Sequence, residues 1–150
     1  MDKGIVKQEK MKRIQTTCPY CGCGCNIDLI VKDNRIVKAE PTKDHPVNLG
    51  KLCLKGLYGW EFVHSPERLT TPLIRKKNGE YSKKGNLCEA TWEEAFALIK
   101  EKISTIKNNF GADSFMGMSS ARCTNEENYL FQKFFRTVLG TNNIDHCARL

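Results

Sequence analysis

The stretch TCPYCGCGC at residues 17–25 is the most informative part of the first third of this chain. It brings four of the chain's eight cysteines into one short segment. Disulfides are disfavoured in reducing compartments, so closely spaced cysteines in an intracellular chain indicate a metal site. The two glycines at positions 22 and 24 let the backbone pass close to a bound group and offer it amides. The segment therefore predicts a metal-binding loop.

Spacing selects four ligands from the available cysteines. The pattern C-x2-C-x3-C-x27-C is formed by Cys18, Cys21, Cys25 and Cys53. A cubane iron–sulfur cluster needs thiolates from four directions, and such spacing lets one loop supply three of them. The fourth ligand then comes from a later segment that returns to the loop. Cys23 is the surplus thiol, because ligands only two residues apart would crowd one site. We predict a [4Fe–4S] site on these four cysteines.

Zinc is the alternative metal. Four cysteines also suit a tetrahedral structural zinc site. Zinc sites more often pair two C-x2-C units, whereas this chain has one such unit followed by a third close cysteine. The pattern thus favours iron–sulfur without excluding zinc. The remaining cysteines are isolated, and an isolated cysteine is usually a small buried hydrophobic residue. They are Cys88, Cys123 and Cys147.

Composition narrows the class of protein. The chain has 150 residues, 40% of them hydrophobic, which suits one domain or a small domain with part of a larger one. No apolar run is long enough for a membrane span and no secretory signal is recognisable, so we expect a cytoplasmic protein. The net charge of +7 is spread over scattered basic residues, which favours a solvated surface over nucleic-acid binding.

Local patterns predict a small β-rich region first. Residues 1–13 form a charged lead-in. Residues 26–31 and 35–40 alternate and are rich in Ile and Val, so they predict a hairpin around residues 32–34. Residues 51–62 predict one or two helical turns, and Asn78-Gly79 predicts a second hairpin.

Helical patterns begin near Thr91. Residues 91–94 (TWEE) form a capping box, and the helix that follows should end at Gly111. A second capping box at residues 124–127 (TNEE) starts a helix that runs to Gly140. The apolar face of the first helix is predicted to be core. Its residues are Trp92, Ala95, Phe96, Ile99, Ile103 and Ile106.

One short strand is predicted after each helix, over residues 114–118 and from residue 143 onward. Helix, strand, helix, strand is half of an α/β layer. The predicted fold class is therefore α+β. A small β-rich [4Fe–4S] domain is followed by the incomplete start of an α/β, Rossmann-like domain. We set the boundaries at residues 14–68 and 69–150.

The cysteine motifs resemble a known family. Residues 18–21 (CPYC), Cys25 and residues 53–56 (CLKG) resemble the amino-terminal iron–sulfur domain of the molybdopterin oxidoreductases. The resemblance implies a [4Fe–4S] cluster beside a bis-molybdopterin guanine dinucleotide that coordinates molybdenum or tungsten. It also implies that Lys55 bridges cluster and pterin as an electron relay. On its spacing from Cys53 alone, Lys55 could equally well be a solvated surface cation or a residue that contacts a bound anionic cofactor.

Two further motifs resemble one branch of that family. Residues 119–129 (SSARCTNEENY) and 140–149 (GTNNIDHCAR) resemble segments of formate dehydrogenase catalytic (alpha) subunits. The resemblance implies that Arg122 and Cys147 approach the pterin cofactor. Asn125 and Glu126 either cap a helix only or also belong to a helix amino end that faces a cofactor phosphate.

The implied activity is the oxidation of formate to carbon dioxide, or the reverse. Electrons would pass from the pterin past Lys55 to the cluster, and then to an electron-transfer partner such as an iron–sulfur or flavin beta subunit. The alternatives are another molybdopterin oxidoreductase, such as a nitrate reductase, or a stand-alone iron–sulfur or zinc module.

The last residues carry one more expectation. In formate dehydrogenases the Cys-Ala-Arg run is followed, after one residue, by the cysteine or selenocysteine that ligates the metal. Leu150 occupies the intervening place, so we expect an in-frame selenocysteine codon directly after it, which sequencing past the last codon would test. No residue of the 150-residue chain is expected to be that ligand or the catalytic histidine, so the chain alone is expected to be inactive.

Overall fold

A computed structural model describes residues 11–149. Most of the predicted lead-in, Leu150 and the expected metal ligand beyond it lie outside the described residues. The chain forms two compact units. Within the described residues, the first unit comprises 11–66, 118–132 and 145–149, and the second comprises 67–117 and 133–144.

A three-stranded antiparallel sheet organises the first unit. Strands β1 (Lys12–Thr17), β2 (Asn26–Lys32) and β3 (Arg35–Pro41) lie in the order β1-β2-β3. The β2–β3 hairpin was predicted, and its turn is formed by Asp33 and Asn34, both at positive φ. These residue types tolerate the left-handed region because their short polar side chains can bond locally.

Strand β1 is a correction to the sequence-based boundaries. It begins at Lys12 and so includes two residues of the predicted lead-in. Its sequence, KRIQTT, does not alternate between apolar and polar residues, which is the pattern that identifies a half-buried strand, and all six residues are exposed. Backbone pairing with β2 defines the strand instead, in a continuous register from Lys12 opposite Val31 to Thr17 opposite Asn26.

Two short helical segments follow the sheet, as predicted for residues 51–62. Helix α1 spans Leu54–Tyr58, and a 3-10 turn spans Glu61–His64. The His64 Nε2 atom accepts a hydrogen bond of 2.8 Å from the backbone N–H of Ile36 on β3. This bond ties the 3-10 turn to the sheet.

A buried carboxylate lies in the sheet of the first unit. Asp28 is only 7% exposed and accepts hydrogen bonds from Thr42 Oγ1 and from the Arg13 guanidinium, both at 2.7 Å. These two bonds lower the pKa of Asp28, the Thr42 bond having the larger effect. Arg13 also contacts Glu40 at 2.7 Å, so one cation joins β1 to β2 and β3.

We expect Asp28→Asn to lower the free energy of unfolding of the chain by about 1–3 kcal/mol at pH 7, because it removes charge-assisted hydrogen bonds from a buried site. A depressed carboxyl pKa stabilises the fold above the unfolded value of about 3.9, and the contribution disappears as pH falls through the folded pKa. Denaturant titrations from pH 7 to pH 3 should therefore show a weaker acid dependence in Asp28→Asn. Asp33→Asn, in the exposed turn, is the control, and equal losses in both variants would contradict this role.

The second unit contains another antiparallel sheet and the longest helix. Strands β4 (Leu73–Lys77), β5 (Glu80–Tyr81) and β6 (Asn86–Glu89) lie in the order β5-β4-β6. The hairpin at Asn78-Gly79 was predicted, whereas β6 was not. Helix α2 spans Trp92–Phe110. Its Thr91 capping box and its end at Gly111 confirm the sequence reading.

The remaining elements complete the chain. Strand β7 (Gly117–Ser119) precedes helix α3 (Asn125–Lys133), which continues as a π-helical turn to Leu139. Gly140 ends this helix in the left-handed conformation. Strand β8 (Ile144–His146) pairs with β7, and a 3-10 turn covers Cys147–Arg149. The strand predicted at 114–118 begins later than expected, because a 3-10 turn occupies Ala112–Ser114.

The predicted core face of α2 is wrong for this chain. Trp92 is 59% exposed, Phe96 is 61% exposed and Ile99 is 51% exposed. Trp92 and Phe96 stack on each other with ring centroids 5.6 Å apart. Ala95 and Ile103 of the same face are half-buried. Helical periodicity identifies an apolar face, but burial also requires a partner, and the larger side chains Trp92, Phe96 and Ile99 stay more than half exposed.

No helix among the described residues is both long and apolar enough to cross a membrane.

Candidate metal and cofactor site

The predicted metal-binding loop is the connection between β1 and β2. Its ends are fixed by the β-sheet pair Thr17–Asn26 and by a 2.8 Å hydrogen bond from Cys18 N–H to the Cys25 carbonyl oxygen. The sheet therefore anchors a loop that contains three of the predicted ligands. The pairing of β1 with β2 therefore holds both ends of the Gly- and Cys-rich loop in place.

The loop thiols lie close enough to influence one another. Cys18 is buried, Cys21 and Cys25 are half-buried, and Cys23 is exposed. The pKa of Cys25 is raised to about 11, first by burial and then by its thiol contact with Cys23 and the nearby Cys18 and Cys21 thiols. Clustered thiols resist becoming anions together. A metal cation removes this cost, because metal binding deprotonates its cysteine ligands.

Cys53 has the opposite electrostatic environment. It precedes α1, and backbone N–H groups of Gly56 and Lys55 donate to its sulfur, which lowers the pKa of its thiol. The charge of Lys55 lowers it further. Cys53 is exposed, so its thiolate is accessible to a metal. These are the properties expected of a metal ligand from a second segment.

The donor set fits a thiolate-ligated cluster in its chemistry. One anchored loop offers three predicted ligands, and α1 offers a fourth as a stabilised thiolate. Among residues 11–149, however, no group of three or more His, Cys, Asp or Glu side chains is arranged to hold a single metal ion. The assignment of Cys18, Cys21, Cys25 and Cys53 as ligands therefore stays a prediction.

Lys55 lies beside the predicted site. Together with Cys18 and Tyr20 from the loop, it lines a cavity of about 250 Å³ in the first unit. The Tyr20 hydroxyl donates a short hydrogen bond to the Gly59 carbonyl oxygen, which joins the loop to the segment after α1. Lys55 thus lines the same cavity as Cys18 and lowers the thiol pKa of Cys53, while its role as an electron relay stays a prediction.

The predicted cofactor residues Arg122 and Cys147 also come together. Cys147 Sγ lies 3.4 Å from the backbone nitrogen of Ala121 and 3.7 Å from Ser120 Oγ. These two contacts, and the nearby Arg122 charge, lower the pKa of the Cys147 thiol. Arg122 is exposed. Two segments that are distant in sequence therefore form one local surface with a cation and a polarised thiol.

Helix α3 begins with the predicted capping box. Thr124 Oγ1 accepts from the Glu127 N–H at 3.2 Å, and Glu127 Oε2 accepts from the Thr124 N–H at 2.7 Å. Glu126 is exposed in the first turn. Asn125 directs its side-chain amide to the metal-binding loop, where Nδ2 donates to the Gly22 carbonyl oxygen at 2.9 Å. Sequence reasoning did not foresee this contact, because nothing in the local pattern links residues 103 positions apart.

All predicted site residues belong to the first compact unit, although they come from three separate stretches of the chain. Tertiary structure, not sequence proximity, gathers them. They are Cys18, Cys21, Cys25, Cys53, Lys55, Arg122, Asn125, Glu126 and Cys147.

Comparisons with known proteins identify the family of the chain. Residues 11–65 match the molybdopterin oxidoreductase Fe4S4 domain, and residues 68–150 match the molybdopterin oxidoreductase domain. The chain therefore belongs to the molybdopterin oxidoreductase family. Membership assigns it a [4Fe–4S] cluster and a molybdopterin as cofactors.

The chain is also similar to individual curated proteins of this family, which are formate dehydrogenase alpha subunits. The chain is 57% identical over 137 residues to the F420-dependent formate dehydrogenase 1 subunit alpha of Methanococcus maripaludis, covering 91% of the chain. It is 50% identical over 141 residues, or 94% of the chain, to the F420-dependent formate dehydrogenase subunit alpha of Methanocaldococcus jannaschii. In both cases the chain spans 19% of the relative's length.

Proposed function

We propose that this chain is part of a formate dehydrogenase catalytic subunit, which in full oxidises formate to carbon dioxide or catalyses the reverse reaction. The observation that supports this most is the 57% identity to a formate dehydrogenase alpha subunit across 91% of the chain. Two motifs in this sequence, SSARCTNEENY at residues 119–129 and GTNNIDHCAR at residues 140–149, resemble segments of the same subunits.

The proposed site residues bind two cofactors, a [4Fe–4S] cluster and a molybdopterin. When bound, a bis-molybdopterin guanine dinucleotide with molybdenum or tungsten and a [4Fe–4S] cluster supply the redox chemistry. In this proposal, Cys18, Cys21, Cys25 and Cys53 hold the cluster. Lys55 supplies a cation between the two cofactors, next to the Cys53 thiolate whose pKa it helps to lower.

The surface around Cys147 is proposed to hold the anionic pterin cofactor. Arg122 offers a guanidinium, which suits phosphate oxygens. The amino end of α3, with Asn125 and Glu126 in its first turn, adds backbone N–H groups that favour an anion, although Glu126 itself opposes one. Cys147, with its lowered thiol pKa, is the neighbouring polar contact.

The electrons are proposed to leave through the cluster to a separate electron-transfer subunit. The relatives in Methanococcus maripaludis and Methanocaldococcus jannaschii are F420-dependent. We propose F420 as the final acceptor here as well, reached through a flavin or iron–sulfur partner subunit.

The test is an anaerobic assay of the full-length subunit with its partner. We expect formate to drive reduction of a viologen dye and of F420, and we expect none with the 150-residue chain alone. Nitrate added to the reduced dye is the control substrate. Oxidation of the dye by nitrate without any formate-dependent reduction would replace this proposal with a nitrate reductase.

A further inference from the structure

Asn125 and Gly22 form a specific contact between α3 and the metal-binding loop. The amide nitrogen of Asn125 donates to the Gly22 carbonyl oxygen at 2.9 Å. Gly22 lies between two of the loop cysteines, Cys21 and Cys23. The bonded carbonyl therefore belongs to a peptide group in the middle of the predicted ligand loop.

The same pair is fitted sterically. A Cβ atom on Gly22 would overlap Asn125 Oδ1 and lie 3.3 Å from Asn125 Cγ. Gly22 does not have a positive φ, so its φ does not by itself require glycine. A side chain at position 22 would thus meet Asn125, which would have to shift to admit it. Gly24 in the same loop differs, since its φ is +74° and no atom lies near its missing Cβ.

Hydrogen bonds in the first turn of α3 fix the position of Asn125. It is the first residue of α3, directly after the Thr124 capping box. One turn later, Asn128 Nδ2 donates to the Ser120 carbonyl oxygen at 3.3 Å, and its Oδ1 accepts a short bond from Ser119 Oγ. These bonds join the first turn of α3 to the preceding segment, and Asn125 in that turn donates its amide to the loop.

We propose that Asn125 is a positioning residue for the cluster, which holds the Gly22–Cys23 peptide in one orientation and thereby helps to set the reduction potential. The carbonyl and N–H of a trans peptide point in opposite directions, so fixing the Gly22 carbonyl also fixes the Cys23 N–H on the far side. Hydrogen bonds and oriented dipoles around the sulfurs tune cluster potentials. This role rests on the cluster assignment in the proposed function.

The first test is a redox titration of the anaerobically reconstituted chain. Asn125→Ala and Asn125→Ser both remove the amide donor without adding charge. We expect both to keep the wild-type iron content and to shift the cluster to a lower potential, because the freed peptide no longer presents a fixed N–H. Asn109→Ala, on the exposed end of α2, is the control and should leave the potential unchanged.

The second test uses the steric fit. Gly22→Ala alone should reduce iron retention and speed hydrogen exchange of the loop amides in the metal-free chain several-fold. Gly22→Ala combined with Asn125→Ala should show a clearly smaller effect of the added methyl group, because the overlapping carboxamide is gone. Such non-additivity is the signature of a direct contact.

The outcomes separate the two hypotheses. A wild-type chain that takes up no cluster would remove the basis of both. A wild-type cluster whose potential is the same in Asn125→Ala, with strictly additive effects in the double variant, would overturn the positioning role and leave the proposed function standing.

Discussion

Replacing Cys53 by alanine is expected to abolish cluster binding in the reconstituted chain. Iron content should fall from about four atoms per chain to well under half of that, and the broad absorption at ~400 nm should be lost with it. The reason is that Cys53 offers the only predicted ligand from outside the loop, as a thiolate stabilised by the N–H groups of Gly56 and Lys55. Cys18→Ala, Cys21→Ala and Cys25→Ala should have similar effects.

Two cysteine variants serve as matched controls. Cys23→Ala removes the surplus loop thiol, and Cys88→Ala removes an isolated thiol of the second unit. Both should retain the iron content of the wild-type chain. A loss of iron in Cys23→Ala, with Cys25→Ala unaffected, would mean that the ligand set had been assigned to the wrong member of the loop.

The second large effect is expected at Lys55 in the full-length subunit. Lys55→Met removes the cation that lowers the pKa of the Cys53 thiol and that lines a cavity together with Cys18 and Tyr20. We expect formate-dependent dye reduction to fall roughly 10–100-fold, the range typical of residues that support a metal centre without ligating it. Iron content should stay the same, because Lys55 is not a ligand.

Lys51→Met is the control for Lys55, since Lys51 is an exposed lysine four residues earlier, just before α1. It should leave the rate within about twofold of wild type, as expected for a surface cation. Lys55→Arg preserves the charge with a different shape and should fall between the two. A rate in Lys55→Met equal to that of Lys51→Met would mean that Lys55 is a solvated surface residue.

Features encoded by neighbouring residues could be predicted from the sequence. The Asp33-Asn34 and Asn78-Gly79 turns have the residue types that left-handed backbone favours, and both hairpins are present. The capping boxes at Thr91 and Thr124 are present for the same reason, because each is complete within four residues. The spacing that singles out Cys18, Cys21 and Cys25 is likewise local, and a single anchored loop carries all three.

Features that depend on distant partners could not be predicted. Strand β1 exists because β2 pairs with it, and its own residues carry no strand pattern. The bond from Asn125 to Gly22 and the contact of Cys147 with Ala121 join separate segments, so no local signal announces them. The apolar face of α2 was correctly recognised as apolar but wrongly predicted to be buried, since periodicity does not say whether a partner is at hand.

The most direct test is the metal content and visible spectrum of the wild-type chain after anaerobic reconstitution with iron and sulfide. The expected results for a [4Fe–4S] site are about four irons per chain, negligible zinc and a broad band at ~400 nm that dithionite bleaches. A colourless protein that holds one zinc would contradict the cluster assignment and leave a tetrahedral zinc site on the same cysteines.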